Sequence, residues 1–289
     1  EAAVPIYYPY VYVAPSNTGV LSGLDLNGDG IVATPADVGT RVHGDDSFGF
    51  GNYPGQYGMA VLSRFPIDTL GVRTFQLFRW RDLPGNHMPG GFFSDSARAV
   101  LRLSSKSHWD VPIVMDRDTL HLLVSHPTPP VFDGPEDRNG RRNFDEIGFW
   151  ARYLDGADAL HDDRGRSGGL PDHALFVLAG DLNAAPEGGD AALGDTTAIS
   201  QLLGHERVRD PEMLRGVATA TFSGGVRVDY VLPSEGLEIV AGGVFGSPSG
   251  EAASGTPASS TRESPSEAAL GRAASDHRLV WLDLRLSGG

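Results

Sequence analysis

The sequence predicts a single layered fold of mixed α/β (α+β) class. Three observations indicate it: short apolar runs of strand length recur, one longer segment has helical periodicity, and these elements follow one another in one continuous order. With 289 residues, 40% of them hydrophobic, the chain is large enough to bury a sizeable core and is unlike a disordered protein. We therefore expect one domain over residues 1–289.

The first part of the chain is predicted to be mainly sheet. Residues 4–13 are aromatic and β-branched and predict a strand that is broken at Pro9. Residues 16–58 contain many Gly and Asp residues without periodicity and predict a long loop. Strands are also predicted from apolar runs bounded by polar, Gly or Pro residues, at 59–62, 72–78, 99–103, 111–115 and 119–125.

The pattern changes to helical at Asn143. Apolar residues then recur at three- and four-residue intervals as far as Ala157, which predicts an amphipathic helix that ends near 162–169. A fully buried strand is predicted at 173–179, and a weaker helix at 190–204.

The last part of the chain returns to strands and contains one biased segment. Residues 247–274 are mostly Ser, Ala, Gly, Pro and Glu, and they hold too little apolar surface to offset the entropy of ordering. We expect a flexible low-complexity insertion there, within the domain, because a strong strand follows it. The predicted strands are 226–232, 237–241 and 278–286.

Composition excludes several classes of function. A net charge of −14 argues against a broad basic face for nucleic acid, so a phosphate would have to be met locally by a metal or Arg. The absence of Cys excludes disulfides, thiolate zinc sites and a Cys nucleophile. The apolar runs are too short to cross a bilayer, so no membrane span is expected. Nothing in the sequence implies a protein partner.

Four polar groups lie at or near the ends of predicted strands. Each alone also fits a turn or a structural role, and Asp229 alone also fits a solvent-facing edge strand. Asp229 lies in an otherwise apolar strand, where an unpaired carboxylate would be costly to desolvate. Together they favour a site at one edge of a sheet. The four groups are His126, Asp181 with Asn183, Asp229, and Asp276 with His277.

The order of these motifs resembles that of the endonuclease/exonuclease/phosphatase superfamily, which includes deoxyribonuclease I. The resemblance covers about residues 57 to 286. The matching pieces are YGMAVLSRFPI from Tyr57, the strand that ends before His126, GDLNAAP around Asp181, VDYVL around Asp229, and SDHRLVWLDL around His277. It implies a sandwich of two packed β-sheets flanked by helices, with the site formed by strand-end loops.

The resemblance also implies roles for these residues. Asp181 would orient or deprotonate the attacking water, and Asn183 would fix Asp181 and the phosphate. His277, paired with Asp229, would stabilise the pentacoordinate phosphate or its leaving oxygen. His126 would donate to a phosphoryl oxygen. Asp276 would be a ligand of a catalytic Mg²⁺ or Mn²⁺, which would polarise the phosphate.

The sequence departs from the family pattern at its beginning. The family has an early strand that carries an Asn and, later, a Glu that is the main metal ligand. No convincing equivalent occurs here, so we expect an N-terminal segment with these residues to be absent from this chain.

Two local features have open interpretations. Asp25, Asn27 and Asp29 match the first half of a Ca²⁺ loop, which a plain Asp/Gly turn would explain equally well. Lys106, the only lysine, and Arg142 would bind substrate phosphate or would belong to a solvated loop and the start of a helix; we favour the structural interpretation for both.

The leading hypothesis is therefore a divalent-metal-dependent hydrolase of phosphate esters. A phosphodiesterase or nuclease is the first choice, with nucleic acid among its candidate substrates. The alternative is a non-catalytic member of the fold that acts as a Ca²⁺-binding or interaction domain.

Overall fold

A computed structural model describes residues 6–187, 189, 191–245 and 275–286. The described strands are β1 (Tyr10–Tyr12), β2 (Val61–Ser63), β3 (Arg73–Thr74), β4 (His108–Met115), β5 (Asp118–Ser125), β6 (Leu175–Asp181), β7 (Ala192–Leu193), β8 (Thr196–Thr197), β9 (Asp229–Pro233), β10 (Leu237–Val244) and β11 (Val280–Leu286). The α-helices are α1 (Arg41–Asp45), α2 (Asp95–Val100), α3 (Arg138–Leu154) and α4 (Ser200–Leu203). Short 3₁₀ turns lie at Pro35–Asp37, Trp80–Asp82, Glu212–Leu214 and Phe222–Gly224.

A five-stranded mixed sheet forms the centre of the fold, in the order β3-β4-β5-β6-β9. Its pairs are antiparallel except β5 with β6, which run parallel. The connection between these two strands contains α3, as a parallel crossover requires. The carboxyl ends of β5 and β6 consequently meet at one edge of the sheet, which decides where the site lies.

Helix α3 covers one face of this sheet. Its Ile147 and Trp150 belong to the same buried cluster as Leu123 of β5 and Phe176 and Leu178 of β6. The stripe of apolar residues along the helix therefore does what its spacing predicts: it buries one side of the helix against the sheet.

The opposite face of the sheet packs against the two-stranded β1–β2 sheet. Trp109 and Val111 of β4 cluster with Val61 of β2, and the Tyr12 ring of β1 meets the Trp109 ring edge-on at 5.4 Å. Successive residues of β4 point to opposite faces, as pleated strands require. The molecule is a layered α/β sandwich.

Two N-terminal predictions need correction. No strand forms at 99–103: residues 99 and 100 are the end of α2, a helix that begins at Asp95 and that the Ser94 side chain caps by accepting a hydrogen bond from the Ala97 amide. Leu101 and Leu103 follow the helix and are buried. Of the strand predicted at 72–78, only Arg73–Thr74 pairs, although Phe75 and Phe78 are buried. Core burial, not sheet pairing, accounts for those apolar residues.

Helix boundaries and the weaker helix also differ from prediction. Helix α3 begins at Arg138, five residues before the predicted start, and ends at Leu154. The region predicted as a helix at 190–204 contains the β7–β8 hairpin and only the short α4. The predicted insertion at 247–274 lies outside the described residues, and the structure therefore does not test it. No helix among the residues described has the length and apolarity needed to span a membrane.

Candidate active site

The sheet edge at the ends of β5 and β6 brings the predicted polar residues together. Asp181 is the last residue of β6, and in the sheet register it lies directly opposite Asp229, the first residue of β9. His126 follows the end of β5. His277 precedes β11 and forms a β-bridge with Ala220. Topology, not sequence proximity, makes these four residues neighbours.

His277 is held between the two aspartates. Its Nδ1 lies 2.9 Å and 3.1 Å from the two carboxylate oxygens of Asp229, and its Nε2 lies 3.8 Å from Asp181 Oδ2. Desolvation lowers the pKa of His277, but the hydrogen bond and charge of Asp229, with the charge of Asp181, raise it to a net value above the ordinary one. The ring therefore holds its proton to a higher pH than an ordinary histidine does. Asp229 does lie on an edge strand of the sheet, but its carboxylate pairs with His277.

Asp181 is a carboxylate that resists ionisation. Burial, and secondarily the facing charge of Asp229, raise its pKa to about 6. His126 Nε2 lies 3.4 Å from Asp181 Oδ2. Desolvation, with smaller contributions from the charges of Lys106 and His277, lowers the pKa of His126 far below its usual value, so this ring is neutral. The site thus combines a neutral imidazole, an imidazole whose pKa is raised and a basic carboxylate.

Asn183 shapes the turn that carries Asp181. Its backbone is left-handed, with φ of 51°, a conformation that asparagine tolerates better than most residues. Its amide donates to Asp181 Oδ1 at 2.9 Å, and its Nδ2 donates to the Pro127 carbonyl at 3.2 Å. The turn interpretation of this motif is therefore correct, and the turn also places Asp181.

Two buried residues of α3 support the site, and the sequence did not single them out as functional. The Glu146 carboxylate accepts the amides of Ser105 and Thr128, both at 2.6 Å. The Asn143 amide donates to the carbonyls of Thr128 and Leu182. These bonds fix the loops after β5 and β6 to one helix. A polar residue on the buried face of an amphipathic helix was the signal that could have identified them.

Arg142 and Lys106 are both buried, whereas one interpretation of the sequence placed Lys106 in a solvated loop. The Arg142 guanidinium donates to the carbonyls of Leu103, Phe48 and Arg102, which ties α3 to neighbouring loops. Lys106 is only 4% exposed, and its ammonium donates to the Pro127 carbonyl at 3.2 Å. The solvated-loop interpretation of Lys106 is wrong, because the strand that follows it carries it into the interior.

The cluster opens into a cleft of about 810 Å³. The polar residues of its lining include His126, Asp181, Asn183, Asp229, Asp276, His277 and Lys106. Apolar and aromatic residues, among them Phe50, Tyr57 and Phe132, line the same cleft. The cleft is therefore large enough for a phosphate that carries a second group.

Among the described residues, one group could hold a metal ion: Asp181, Asp229 and His277, with ligand atoms within 4.8 Å of one another. Two carboxylates suit a hard divalent cation, so the donor set fits Mg²⁺ or Mn²⁺. Asp276, the predicted ligand, is exposed and lines the same cleft but is not part of this group. No glutamate of the described ranges joins the group either.

The predicted calcium loop has its side chains turned to its own backbone. Asp25 accepts the amides of Gly28 at 2.6 Å and Gly30 at 2.9 Å, and Asp29 accepts the Ile31 amide at 2.8 Å. Asn27 donates to Asp29. This is the hydrogen bonding of the plain Asp/Gly turn, and nothing in it supports Ca²⁺.

A family model described as "Endonuclease/Exonuclease/phosphatase family" matches residues 6–277, nearly the whole of the region described above. The chain belongs to this family. The matched range contains Asp181, Asp229 and His277, the three residues that could hold a metal ion. No curated protein matches the chain significantly.

Several solved structures are similar to this family member. An endonuclease/exonuclease/phosphatase from Beutenbergia cavernae DSM 12333 is 19% identical, with a TM-score of 0.49 over 97% of this chain and 54% of that one. Sphingomyelinase C from Streptomyces griseocarneus is 14% identical, with a TM-score of 0.36 over 80% and 64%. The human Nocturnin catalytic domain is 12% identical, with a TM-score of 0.43 over 82% and 66%. The chain thus spans between about half and two thirds of these proteins' lengths.

Proposed function

We propose that the protein is a divalent-metal-dependent hydrolase of phosphate esters that acts on phosphodiesters. The observation that carries the proposal is the cluster of Asp181, Asp229 and His277 in the lining of a cleft of about 810 Å³. Membership of a generally hydrolytic family supports it. Two carboxylates around one imidazole suit proton transfer to and from the oxygens of a phosphate.

Each residue has a proton-transfer or positioning role. Asp181, whose raised pKa makes it a better base than an ordinary carboxylate, would accept a proton from the attacking water. His277, held by Asp229 and with its pKa raised, would in its protonated form donate to the leaving oxygen. Neutral His126 would donate a hydrogen bond to a phosphoryl oxygen, and Asn183 would hold Asp181 in place.

Asp181 and Asp229, the two carboxylates of the group whose ligand atoms lie within 4.8 Å of one another, would hold the metal ion, and Asp276 lines the same cleft as a further carboxylate. Bound there, a divalent cation would polarise the phosphate and neutralise developing negative charge. This would also reconcile a protein of net charge −14 with an anionic substrate.

The test is hydrolysis of bis(p-nitrophenyl) phosphate with Mg²⁺ or Mn²⁺, and without metal in chelator. We expect His277→Gln to lower kcat by about 10²–10⁴-fold, since it removes a positioned acid. The matched control is His121→Gln, which breaks a similar pair with Asp110, 2.7 Å long, away from the cleft. Wild-type turnover in His277→Gln would contradict the proposal.

The substrate is tested in parallel with single-stranded DNA and with a phospholipid diester. If the wild-type protein hydrolyses no phosphodiester with any divalent cation, the non-catalytic alternative is supported instead. Family membership makes nucleic acid the first substrate class to try, and this reason is associational.

A further inference from the structure

Lys106 is a buried cation with unused hydrogen-bonding capacity. An ammonium has three donors, and the bond to the Pro127 carbonyl uses one of them. The side chain is 4% exposed, and it lines the cleft. None of the ion pairs among the described residues includes it. A buried charge in this position is costly unless something else binds it.

Thr128 presents a second unused donor in the same wall. Its side chain is 8% exposed and lines the cleft, and its buried hydroxyl oxygen has no hydrogen-bond partner. A native protein rarely leaves such a group unsatisfied.

Shared hydrogen-bond partners join the loops that carry Lys106 and Thr128 to each other and to the turn that carries Asp181. Glu146 binds the amides of Ser105 and Thr128 at the same time, so the residues on either side of the clamp are neighbours. The Lys106 ammonium and the Asn183 amide both donate to the Pro127 carbonyl. That Asn183 amide also lies 3.4 Å from Asp181 Oδ2.

The other cations that line the cleft are already committed. Arg41 pairs with Asp45 at 3.2 Å, Arg138 pairs with Glu136, and Arg142 donates to backbone carbonyls. Among the described residues of the cleft, Lys106 is thus a buried cation that makes one hydrogen bond and no ion pair.

We propose that Lys106 and Thr128 form an anion subsite in the cleft wall that binds non-bridging oxygens of the substrate's phosphate. The inference deepens the proposed function and rests on it. The ammonium would supply charge, and the hydroxyl would supply one directed hydrogen bond. A single cation and a single hydroxyl suit one phosphate group. A polyanion, whose charges repeat, would need several cations.

The experiment uses the fact that Lys106 is the only lysine. Protein labelled with ¹³Cε-lysine has one lysine resonance, which is followed while inorganic phosphate is added in chelator, with sodium chloride at equal ionic strength as reference. We expect a saturable shift. We also expect Lys106→Met and Thr128→Val each to weaken phosphate binding at least about tenfold, measured by calorimetry. The control Arg41→Gln should bind as the wild type does.

The outcomes separate the two proposals. If phosphate leaves the lysine resonance unchanged, or if Lys106→Met binds phosphate as the wild type does, the subsite is wrong even when the protein hydrolyses diesters. If phosphate shifts the resonance but no diester is hydrolysed, the proposed function fails and the anion subsite stands. Should Lys106→Met fail to fold by circular dichroism, the wild-type titration and Thr128→Val decide.

Discussion

Asp181 and His277 are acid-base groups whose ionisation the fold controls. Asp181 faces another carboxylate across a strand pair, at the register position Asp181↔Asp229. Like charges directly opposite each other in a sheet are destabilising. The fold tolerates this pair because His277 lies between the two aspartates and can carry the compensating proton.

This arrangement gives the metal-free protein a defined pH dependence. The pKa of Asp181 is raised to about 6 in the folded state. Between the pKa that Asp181 has in the unfolded chain and about 6, the folded state therefore binds more protons than the unfolded state. The contribution of Asp181 to stability is complete below its unfolded pKa and is lost as the pH rises through about 6. In chelator, the Tm of the wild type relative to Asp181→Asn should therefore fall from pH 4 to pH 7. A constant difference would show that Asp181 titrates normally.

Lys106 illustrates a conflict between stability and binding. Desolvation lowers its pKa to about 8, despite the opposing charges of Glu146 and Asp181 and with a small further decrease from Arg142. Because the charged form is disfavoured in the folded state, Lys106→Met should have a Tm at pH 7 that equals or exceeds that of the wild type. Thermal unfolding checks this. A clearly lower Tm would indicate that the lysine serves the fold alone.

At the scale of elements, α3 is the support on which the site depends. It carries Glu146 and Asn143 on its buried face and connects the two parallel strands whose ends form the site. Glu146→Gln would place an amide NH₂ against one of two backbone amides. We expect a loss of about 1–3 kcal/mol in the free energy of unfolding, because one buried donor stays unpaired. The exposed Glu206→Gln is the control, and equal stability of the two variants by denaturant titration would contradict this role.

The junction of β5 and β6 depends on Gly180. A Cβ at this position would lie 2.0 Å from the Ser125 carbonyl oxygen, so only glycine lets the two strand ends approach this closely. Gly180→Ala should cost about 1–3 kcal/mol by overpacking and should also reduce turnover, since it separates His126 from Asp181. Gly194→Ala is a control in open space, although its positive φ of 59° adds some strain. Unchanged stability and activity of Gly180→Ala would contradict the close-approach requirement.

At the scale of the whole molecule, charge shapes the encounter with substrate. The protein has a net charge of −14, and the rim cations Arg41 and Arg138 are paired with acids. An anionic diester is therefore repelled at long range. Raising NaCl from about 0.01 M to about 0.1 M shortens the Debye length from about 30 Å to about 10 Å, so kcat/KM for a small anionic diester should rise. A steep decrease with salt would instead indicate a cationic groove for a polyanion.

Long strands and the main helix were predictable because their residue patterns are local. Strands β4, β5, β6, β9, β10 and β11 and helix α3 all overlap predicted elements. At 72–78 and 99–103, where the prediction was wrong or right only in part, apolar residues are buried without sheet pairing or belong to a capped helix. At 190–204, a hairpin and the short α4 replace the predicted helix. Core burial selects hydrophobic residues in loops and helices as well as in strands, so a short apolar run is ambiguous.

For the site, the amino-acid order was enough to show which polar residues end strands and which family their order resembles. The folded structure was needed to show that Asp181 faces Asp229 with His277 between them, that Lys106 and Thr128 are buried, and that Glu146 holds their loops. The reason is physical: hydrophobic period and turn chemistry act over a few residues. The pairing of strands and the crossing of α3 join positions far apart in the chain, such as Leu120 with Leu175 and Asp181 with Asp229, and they also set the burial that shifts each pKa.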